Sequence, residues 1–307
     1  PTMTGRREFI AAALASPLAR GASRITWDRL SILTDEAARS PGEAIAFAKQ
    51  YNIQWVELRN VPGGGGAYAL LPEERVRETA KELKEAGLKV SFLNTGMLKF
   101  QMPGTEYFRP RMESEEQKAK RIARDLAADE RRMEDLKKAI RAAEILNVRK
   151  IRVFTYNRVS DVDSILPKVA AVLDELGAEA QKAGMELLIE NEASQNVATS
   201  QELKRILELV KSPVIGINWD PVNEIHREGS PWPDGYAALP KAKIKNVQTK
   251  AESLILGKVM LPWGDILQRL AEDGYQGQIG LETHVFDGTL IEKAHLCVAK
   301  LKEIMPA

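Results

Sequence analysis

Short apolar runs alternate along most of the chain with longer stretches in which apolar and polar residues are mixed. The longer stretches carry helix start signals. Ser40 stands three residues before Glu43, and Thr199 stands three residues before Glu202, which is the spacing of a capping box. Strands that alternate with helices form parallel sheets covered by those helices. The pattern therefore predicts an α/β protein built around a parallel sheet.

Eight of the apolar runs have the length of a strand. They cover residues 30–33, 55–59, 90–94, 151–154, 187–190, 214–220, 244–248 and 278–282. No long linker rich in Gly, Ser or Pro interrupts the series, and the composition does not change along it. Eight such units in a chain of 307 residues predict a single (β/α)8 TIM barrel over residues 26–307.

Two segments depart from the regular repeat. Residues 113–143 form a charged helical stretch that is longer than an ordinary barrel helix. This length predicts an insertion near the substrate mouth or at a subunit contact. The run Pro-Gly-Gly-Gly-Gly at residues 62–66 lacks the Lys-Ser/Thr pair of a phosphate-binding P-loop. We therefore interpret it as a flexible loop over the barrel mouth.

Composition and charge argue against several classes of function. The formal net charge is +1, which gives no electrostatic footprint for nucleic acid or an anionic membrane. The single cysteine, Cys297, cannot form an internal disulfide or a cysteine-rich zinc site. No apolar run is long enough to span a bilayer. The expected partner is a small molecule, and a homodimer is an open alternative to a monomer.

The first 25 residues resemble an export signal. Arg6 and Arg7 precede Phe9 and an Ala-rich run over residues 11–15, with small residues after it. A twin-arginine signal has this order of features, and its route carries folded proteins. We expect residues 1–25 to direct the protein to the periplasm. The alternative is an ordinary amphipathic helix in a cytoplasmic protein.

Polar residues stand at the ends of the last four predicted strands. Glu190, Asp220, Gln248 and Glu282 each follow an apolar run, and the active face of a barrel is formed by these strand ends. Three carboxylates on one rim repel one another unless a cation lies between them. Oxygen ligands favour Mn²⁺ or Mg²⁺ over zinc. The four residues therefore predict one divalent metal site.

Five segments carry a resemblance to a known family. They are residues 189–191 (IEN), 218–223 (NWDPVN), 247–250 (VQTK), 261–265 (LPWGD) and 274–277 (GYQG), the last leading to Leu281-Glu282. These segments are similar to those of the xylose isomerase-like sugar phosphate isomerase/epimerase superfamily. In that family a Glu, an Asp, a His and a second Glu, at the ends of strands five to eight, bind one catalytic cation. Glu190, Asp220 and Glu282 match these positions, whereas Gln248 replaces the histidine and offers a carbonyl oxygen.

The resemblance implies a reaction that begins with proton abstraction next to a carbonyl group. The cation would chelate the carbonyl oxygen and a neighbouring hydroxyl and stabilise the enediolate. Glu190 and Glu282 would act as an acid/base pair on opposite faces of the substrate. Return of the proton to the opposite face gives an epimer, and return to the neighbouring carbon gives an isomer.

Further candidates for substrate binding lie on the predicted strands or in the loops after them. They are Glu57, Arg59, Asn94, Arg152, Asn223, His226, Lys250 and His284. Glu57, Arg59 and Arg152 have an alternative role as internal ion pairs, because buried charges need partners. Lys250 could bind a hydroxyl or an anionic group, or simply balance charge. Asn223 could instead cap a helix or a turn.

Two other functions stay open at this point. A lyase or dehydratase acting on a keto-sugar or an inosose would use the same enolate chemistry and lose a β-substituent. A carbohydrate-binding relative without catalysis would have a metal site weakened at Gln248. Metal content, followed by solvent deuterium exchange into a panel of sugars, separates an enzyme from a binding protein.

Overall fold

A closed barrel of eight parallel strands forms the centre of the protein. The computed structural model describes residues 24–306. The strands are β1 (Leu30–Leu33), β2 (Trp55–Leu58), β3 (Lys89–Leu93), β4 (Lys150–Val153), β5 (Glu186–Glu190), β6 (Ile215–Trp219), β7 (Ile244–Thr249) and β8 (Gln278–Leu281). They pair in chain order, and β1 closes the barrel on β8. The predicted (β/α)8 barrel is confirmed, and each predicted strand agrees within one residue at either end.

Helices surround the barrel and cover its outer face. They are α1 (Pro41–Gln50), α2 (Glu73–Glu85), α3 (Glu115–Glu130), α4 (Arg132–Ile145), α5 (Val162–Lys182), α6 (Ser200–Leu209), α7 (Pro221–Ile225), α8 (Tyr236–Ala238), α9 (Ala251–Leu254), α10 (Trp263–Glu272) and α11 (Leu290–Ile304). No helix among residues 24–306 is both long and apolar enough to cross a membrane. The predicted export signal lies in residues 1–25, of which residues 1–23 are outside the described part of the chain.

The predicted helix start signals position the helices on the barrel. Ser40 accepts a hydrogen bond from the backbone N–H of Glu43 at 3.2 Å. Thr199 and Glu202 form a complete capping box at the start of α6. Glu202 is also paired with Arg158 at 2.6 Å, so the same carboxylate anchors the loop after β4. Local capping and a tertiary contact therefore fix the start of α6 together.

The long helical stretch predicted over residues 113–143 is in fact two helices, so the expectation of one helix is wrong. The break falls at Arg131, between α3 and α4. The Arg132 guanidinium donates to the backbone carbonyl of Asp129 at 2.9 Å, and the Tyr156 hydroxyl donates to the Asp129 side chain at 2.5 Å. These contacts draw the last turn of α3 toward the barrel. Ala128 on α3 and Ala139 on α4 line the cavity at the barrel mouth. This agrees with one of the two predicted placements, an insertion near the substrate mouth.

The one cysteine offers a direct test of how α11 packs on the barrel. Cys297 lies on α11 with no exposed surface, and burial raises the pKa of its thiol to about 12. We expect a thiol reagent at pH 8 to modify the folded protein roughly a thousandfold more slowly than the denatured protein, because so little thiolate is present. Release of the chromophore from Ellman's reagent, with and without denaturant, measures both rates. Rapid modification in native buffer would contradict this packing.

Candidate active site

Three carboxylates meet at the carboxyl ends of three barrel strands. Glu190 is the last residue of β5, Asp220 directly follows β6, and Glu282 directly follows β8. Each provides an oxygen, and these oxygens lie within 4.8 Å of one another. All three side chains are buried. This carboxylate cluster (Glu190, Asp220 and Glu282) contains three of the four predicted metal ligands, and it could hold a metal ion.

The ammonium group of Lys250 lies against the carboxylate cluster. Its Nζ is 2.8 Å from Asp220 Oδ2 and 3.5 Å from Glu282 Oε2, and it donates to Asn223 Oδ1 at 2.6 Å. Burial alone would lower the pKa of Lys250, but Asp220, Glu282 and Glu190 raise it above its usual value. Lys250 therefore stays charged and offsets part of the negative charge of the cluster.

Burial and neighbouring charges act differently on two of the carboxyl groups. Burial raises the pKa of Asp220 to about 6, although Lys250 opposes this shift. Burial also favours the neutral form of Glu282, but Lys250 and Arg59 hold the pKa of Glu282 well below its usual value. Glu282 is therefore a carboxylate at neutral pH, and added positive charge beside Asp220 would lower the pKa of Asp220.

Arg152 connects β4 with the Glu190 carboxylate. Its Nη1 donates to Glu190 Oε2 at 3.0 Å, and Asn218 donates to the same oxygen at 2.6 Å. Arg152 also donates to the backbone carbonyl of Thr95 at 3.1 Å. The predicted alternative of an internal ion pair therefore holds for Arg152, and its side chain lines the cavity as well.

Arg59 joins three carboxylates at the other side of the site. Its guanidinium donates to Glu282 at 2.9 Å, to Glu36 at 2.8 Å and to Asp35 at 2.9 Å. Asp35 and Glu36 lie two and three residues after the end of β1. Three charge-assisted hydrogen bonds fix the guanidinium plane and orient Glu282. Arg59 is thus an ion-pair partner that also faces the cavity.

Gln248 points toward a buried carboxylate inside the barrel. Its Nε2 donates to Glu57 at 2.8 Å, and Asn94 and Asn246 donate to the same carboxylate at 3.0 and 3.1 Å. Burial raises the pKa of Glu57 despite these three donors. Gln248 Oε1 is buried and accepts no hydrogen bond from the residues that the structure describes. Glu57 therefore orients the Gln248 amide through its nitrogen, and metal ligation by Gln248 stays a prediction.

A cavity of about 460 Å³ opens beside the carboxylate cluster, within the usual size of small-molecule sites. Seven predicted site residues line it: Arg59, Asn94, Arg152, Glu190, Lys250, Glu282 and His284. The carboxylate of Glu36 makes the largest contribution to raising the pKa of His284. Of the four predicted metal ligands, Glu190 and Glu282 line this cavity, whereas Asp220 and Gln248 are not among its lining residues.

Other predicted residues lie away from this cavity. The N-cap of α7 is Asp220, which accepts a hydrogen bond from the Asn223 backbone N–H at 2.9 Å, so the alternative of Asn223 as the cap is wrong. The Asn223 side chain instead donates to the Asn191 carbonyl at 2.9 Å and accepts from Lys250. The ring of His226 pairs with Glu252 at 2.7 Å, and its side chain is 40% exposed. We therefore find no geometric support for substrate binding by His226.

Several residues at the cavity are absent from the sequence-based prediction. Glu36, which pairs with Arg59 beside the cavity, could have been found, because it lies only three residues after an apolar strand. Lys99 and Glu192 pair at 3.2 Å across the cavity mouth, and Arg132 and Asp135 reach it from α4. Lys99, Glu192 and the two α4 residues come from distant segments, and only the folded chain brings them together.

The balance of charge around the cluster favours an added cation. The carboxylates are Asp35, Glu36, Glu57, Glu190, Asp220 and Glu282, and the permanent cations are Arg59, Arg152 and Lys250. Carboxylates outnumber cations, and protonation of His284 would not remove the excess. Buried negative charge of this kind needs compensation. The residues present therefore fit a divalent cation, which Glu190, Asp220 and Glu282 would hold.

The family model for xylose isomerase-like TIM barrels matches residues 45–299, and the chain belongs to this family. No curated protein sequence matches the chain. Among solved structures, a xylose isomerase-like TIM barrel protein from Mycobacterium smegmatis, in complex with magnesium, has a TM-score of 0.63 at 15% identity. The similarity covers 91% of this chain and 98% of that one.

Two further solved structures share the fold at similar distance. The 3-keto-D-glucoside 4-epimerase of E. coli has a TM-score of 0.63 at 14% identity, with 90% of this chain and 98% of that one covered. The probable 3-DHS dehydratase of Bacillus anthracis has a TM-score of 0.62 at 15% identity, with 88% and 98% covered. At such low identities these similarities show the barrel fold alone.

Removal of the Lys250 charge should change both stability and metal affinity. We expect Lys250→Met to lower the free energy of unfolding by about 3 kcal/mol without metal, because it leaves buried carboxylates unpaired. The variant should bind Mn²⁺ more tightly than the wild type, since an opposing positive charge is gone. Urea unfolding with and without EDTA, together with calorimetric Mn²⁺ titration, measures both effects.

Lys258→Met provides the matched control, because Lys258 is exposed in the loop after α9. This control should leave stability and Mn²⁺ affinity unchanged. Equal behaviour of the two variants would contradict the role assigned to Lys250.

Proposed function

We propose that the protein is a metal-dependent sugar isomerase or epimerase that removes a proton next to a carbonyl group. The supporting observation is the convergence of three buried carboxylate oxygens within 4.8 Å of one another, beside a cavity of small-molecule size. An excess of carboxylates over cations surrounds them. A divalent cation held by Glu190, Asp220 and Glu282 would supply Lewis-acid stabilisation of negative charge on the substrate.

In this proposal Glu190 and Glu282 move the proton. They leave β5 and β8, strands separated by β6 and β7, so they approach a bound sugar from different directions. Glu190 Oε2 is held by Arg152 and Asn218, and its other oxygen is left for a substrate proton. Arg59 orients Glu282 in the same way through Oε1. Fixed carboxylates on two sides of the substrate are what isomerisation and epimerisation require.

The remaining cavity residues bind and orient the sugar in this proposal. Asn94 and His284 face the cavity with polar side chains that match sugar hydroxyls. Glu57, Asn223 and Gln248 act indirectly, because each holds another site residue rather than facing the cavity. Magnesium in a structure of the same fold, and an epimerase with that fold, are consistent with this assignment.

A lyase or dehydratase is the second candidate. The observation that favours it is a probable dehydratase of the same fold, which matches this chain about as well as the epimerase does. The same proton abstraction would precede loss of a β-substituent. A non-catalytic sugar-binding protein is the third candidate, supported by glutamine at position 248.

Neutralising either acid/base residue should abolish turnover. We expect Glu190→Gln and Glu282→Gln to lose nearly all solvent deuterium exchange into ketoses and keto-glycosides, because neither amide accepts a proton from carbon. Mass spectrometry of sugars incubated in D₂O with Mn²⁺ measures the exchange, and circular dichroism checks the fold. Glu208→Gln on the exposed face of α6 is the control and should exchange normally. Normal exchange in both active-site variants would refute the proposal, and new β-elimination products would favour the lyase.

Position 248 offers a test of the metal site without turnover. We expect Gln248→His to raise Mn²⁺ affinity at least tenfold, because a histidine can donate to Glu57 and ligate metal through its other nitrogen. Gln248→Leu should lower Mn²⁺ affinity. Calorimetric titration of metal-free protein measures both changes. The same Mn²⁺ affinity in all three proteins would show that residue 248 does not contact the ion.

A further inference from the structure

The cavity has two chemically different sides. Charged groups of Glu190, Glu282 and Lys250 lie on the side of the barrel strands. The loops after β2 and β3 and the helix pair α3 and α4 contribute an apolar wall, although Lys99, Arg132 and Asp135 from the same elements also line the cavity. The side chains of the apolar wall are those of Leu70, Met97, Leu98, Phe100, Ala128 and Ala139. This apolar wall is continuous with the charged side, because one cavity contains both.

The part of the apolar wall contributed by residues 96–100 is held rigidly. Backbone N–H groups of Phe154, Tyr156 and Asn157, which follow β4, donate to the carbonyls of residues 97, 98 and 100 at 2.9, 3.0 and 2.8 Å. Leu98 adopts a φ of 61°, a conformation that a leucine keeps only where the surroundings enforce it. The wall is therefore formed before a ligand arrives.

Small residues on the helix pair leave the wall open to a ligand. Ala128, Arg132, Asp135 and Ala139 all face the cavity, and their spacing places them along one side of the helices. Arg132 is turned aside by ion pairs with Asp129 and Glu175. The alanines therefore form the inner surface here. Leu70 belongs to the same wall and, although apolar, is 52% exposed.

We propose that the apolar wall is a subsite for an aryl or alkyl group carried by the sugar, so that the substrate class is an apolar glycoside rather than a free sugar. This proposal rests on the sugar chemistry proposed above. A free sugar would leave Leu70 and Phe100 against water or against hydroxyls that find no hydrogen-bond partner there. Burial of an apolar aglycone on this wall is favourable, because the contact removes apolar surface of both the aglycone and the wall from water.

The test compares two probes that share one sugar ring. Isothermal titration of the Mn²⁺-loaded protein with methyl β-D-glucoside and phenyl β-D-glucoside measures the ratio of their affinities. The ring contacts are common to both probes, so the ratio reports the aglycone subsite. We expect the phenyl glucoside to bind at least tenfold more tightly than the methyl glucoside, because its ring buries several additional apolar carbons on the wall.

A substitution in the wall distinguishes binding at this subsite from nonspecific hydrophobic binding elsewhere on the protein. Ala128→Leu fills the space that the phenyl ring would occupy, and the ratio of affinities should fall to near one. Ala123→Leu adds the same side chain to α3 at an exposed position away from the cavity, and it should keep the wild-type ratio. Circular dichroism and thermal unfolding confirm that both variants fold.

Three results would overturn the proposal. They are equal affinities for the two glucosides in the wild type, an unchanged ratio in Ala128→Leu, and the absence of measurable binding by either probe. The ratio is measured without turnover. Preference for the phenyl glucoside without deuterium exchange would therefore support the subsite and contradict the isomerase function. Exchange into free sugars without this preference would support the isomerase function and contradict the subsite.

Discussion

Repulsion among three buried carboxylates is the constraint on which this site depends. Glu190, Asp220 and Glu282 lie within 4.8 Å of one another with almost no access to water. Such an arrangement persists only if positive charge surrounds it. Lys250 supplies part of that charge from within, and arginines supply more from the flanks. The remaining negative charge is what makes the cluster suited to a divalent cation.

A fixed network of polar side chains lies next to the cluster inside the barrel. Glu57 is a buried carboxylate held by three amides, and one of those amides belongs to Gln248. The three amide donors hold the Glu57 carboxylate in place. Side chains held in this way have little freedom to move, which is a property that the proposed proton transfer would require.

The apolar wall and the charged side of the cavity come from different parts of the chain. Glu190, Glu282 and Lys250 end or directly follow barrel strands, whose carboxyl ends converge in this fold. The apolar wall comes from loops and from the helix pair α3 and α4, which are free to differ without altering the barrel. Under the proposed function, proton transfer would therefore depend on the strands and the choice of substrate on the loops and helices, which are separate elements of one domain.

The sequence by itself determined the barrel, the order of its strands and the positions of Glu190, Asp220 and Glu282 at strand ends. Apolar periodicity is a local property that predicts each strand and helix, and eight such units in order predict a (β/α)8 barrel. The sequence could not decide where long side chains point. Lys250 turns into the cluster, Gln248 turns toward Glu57, and His226 turns outward to Glu252. Each outcome depends on partners from distant segments, so only the tertiary structure settled them.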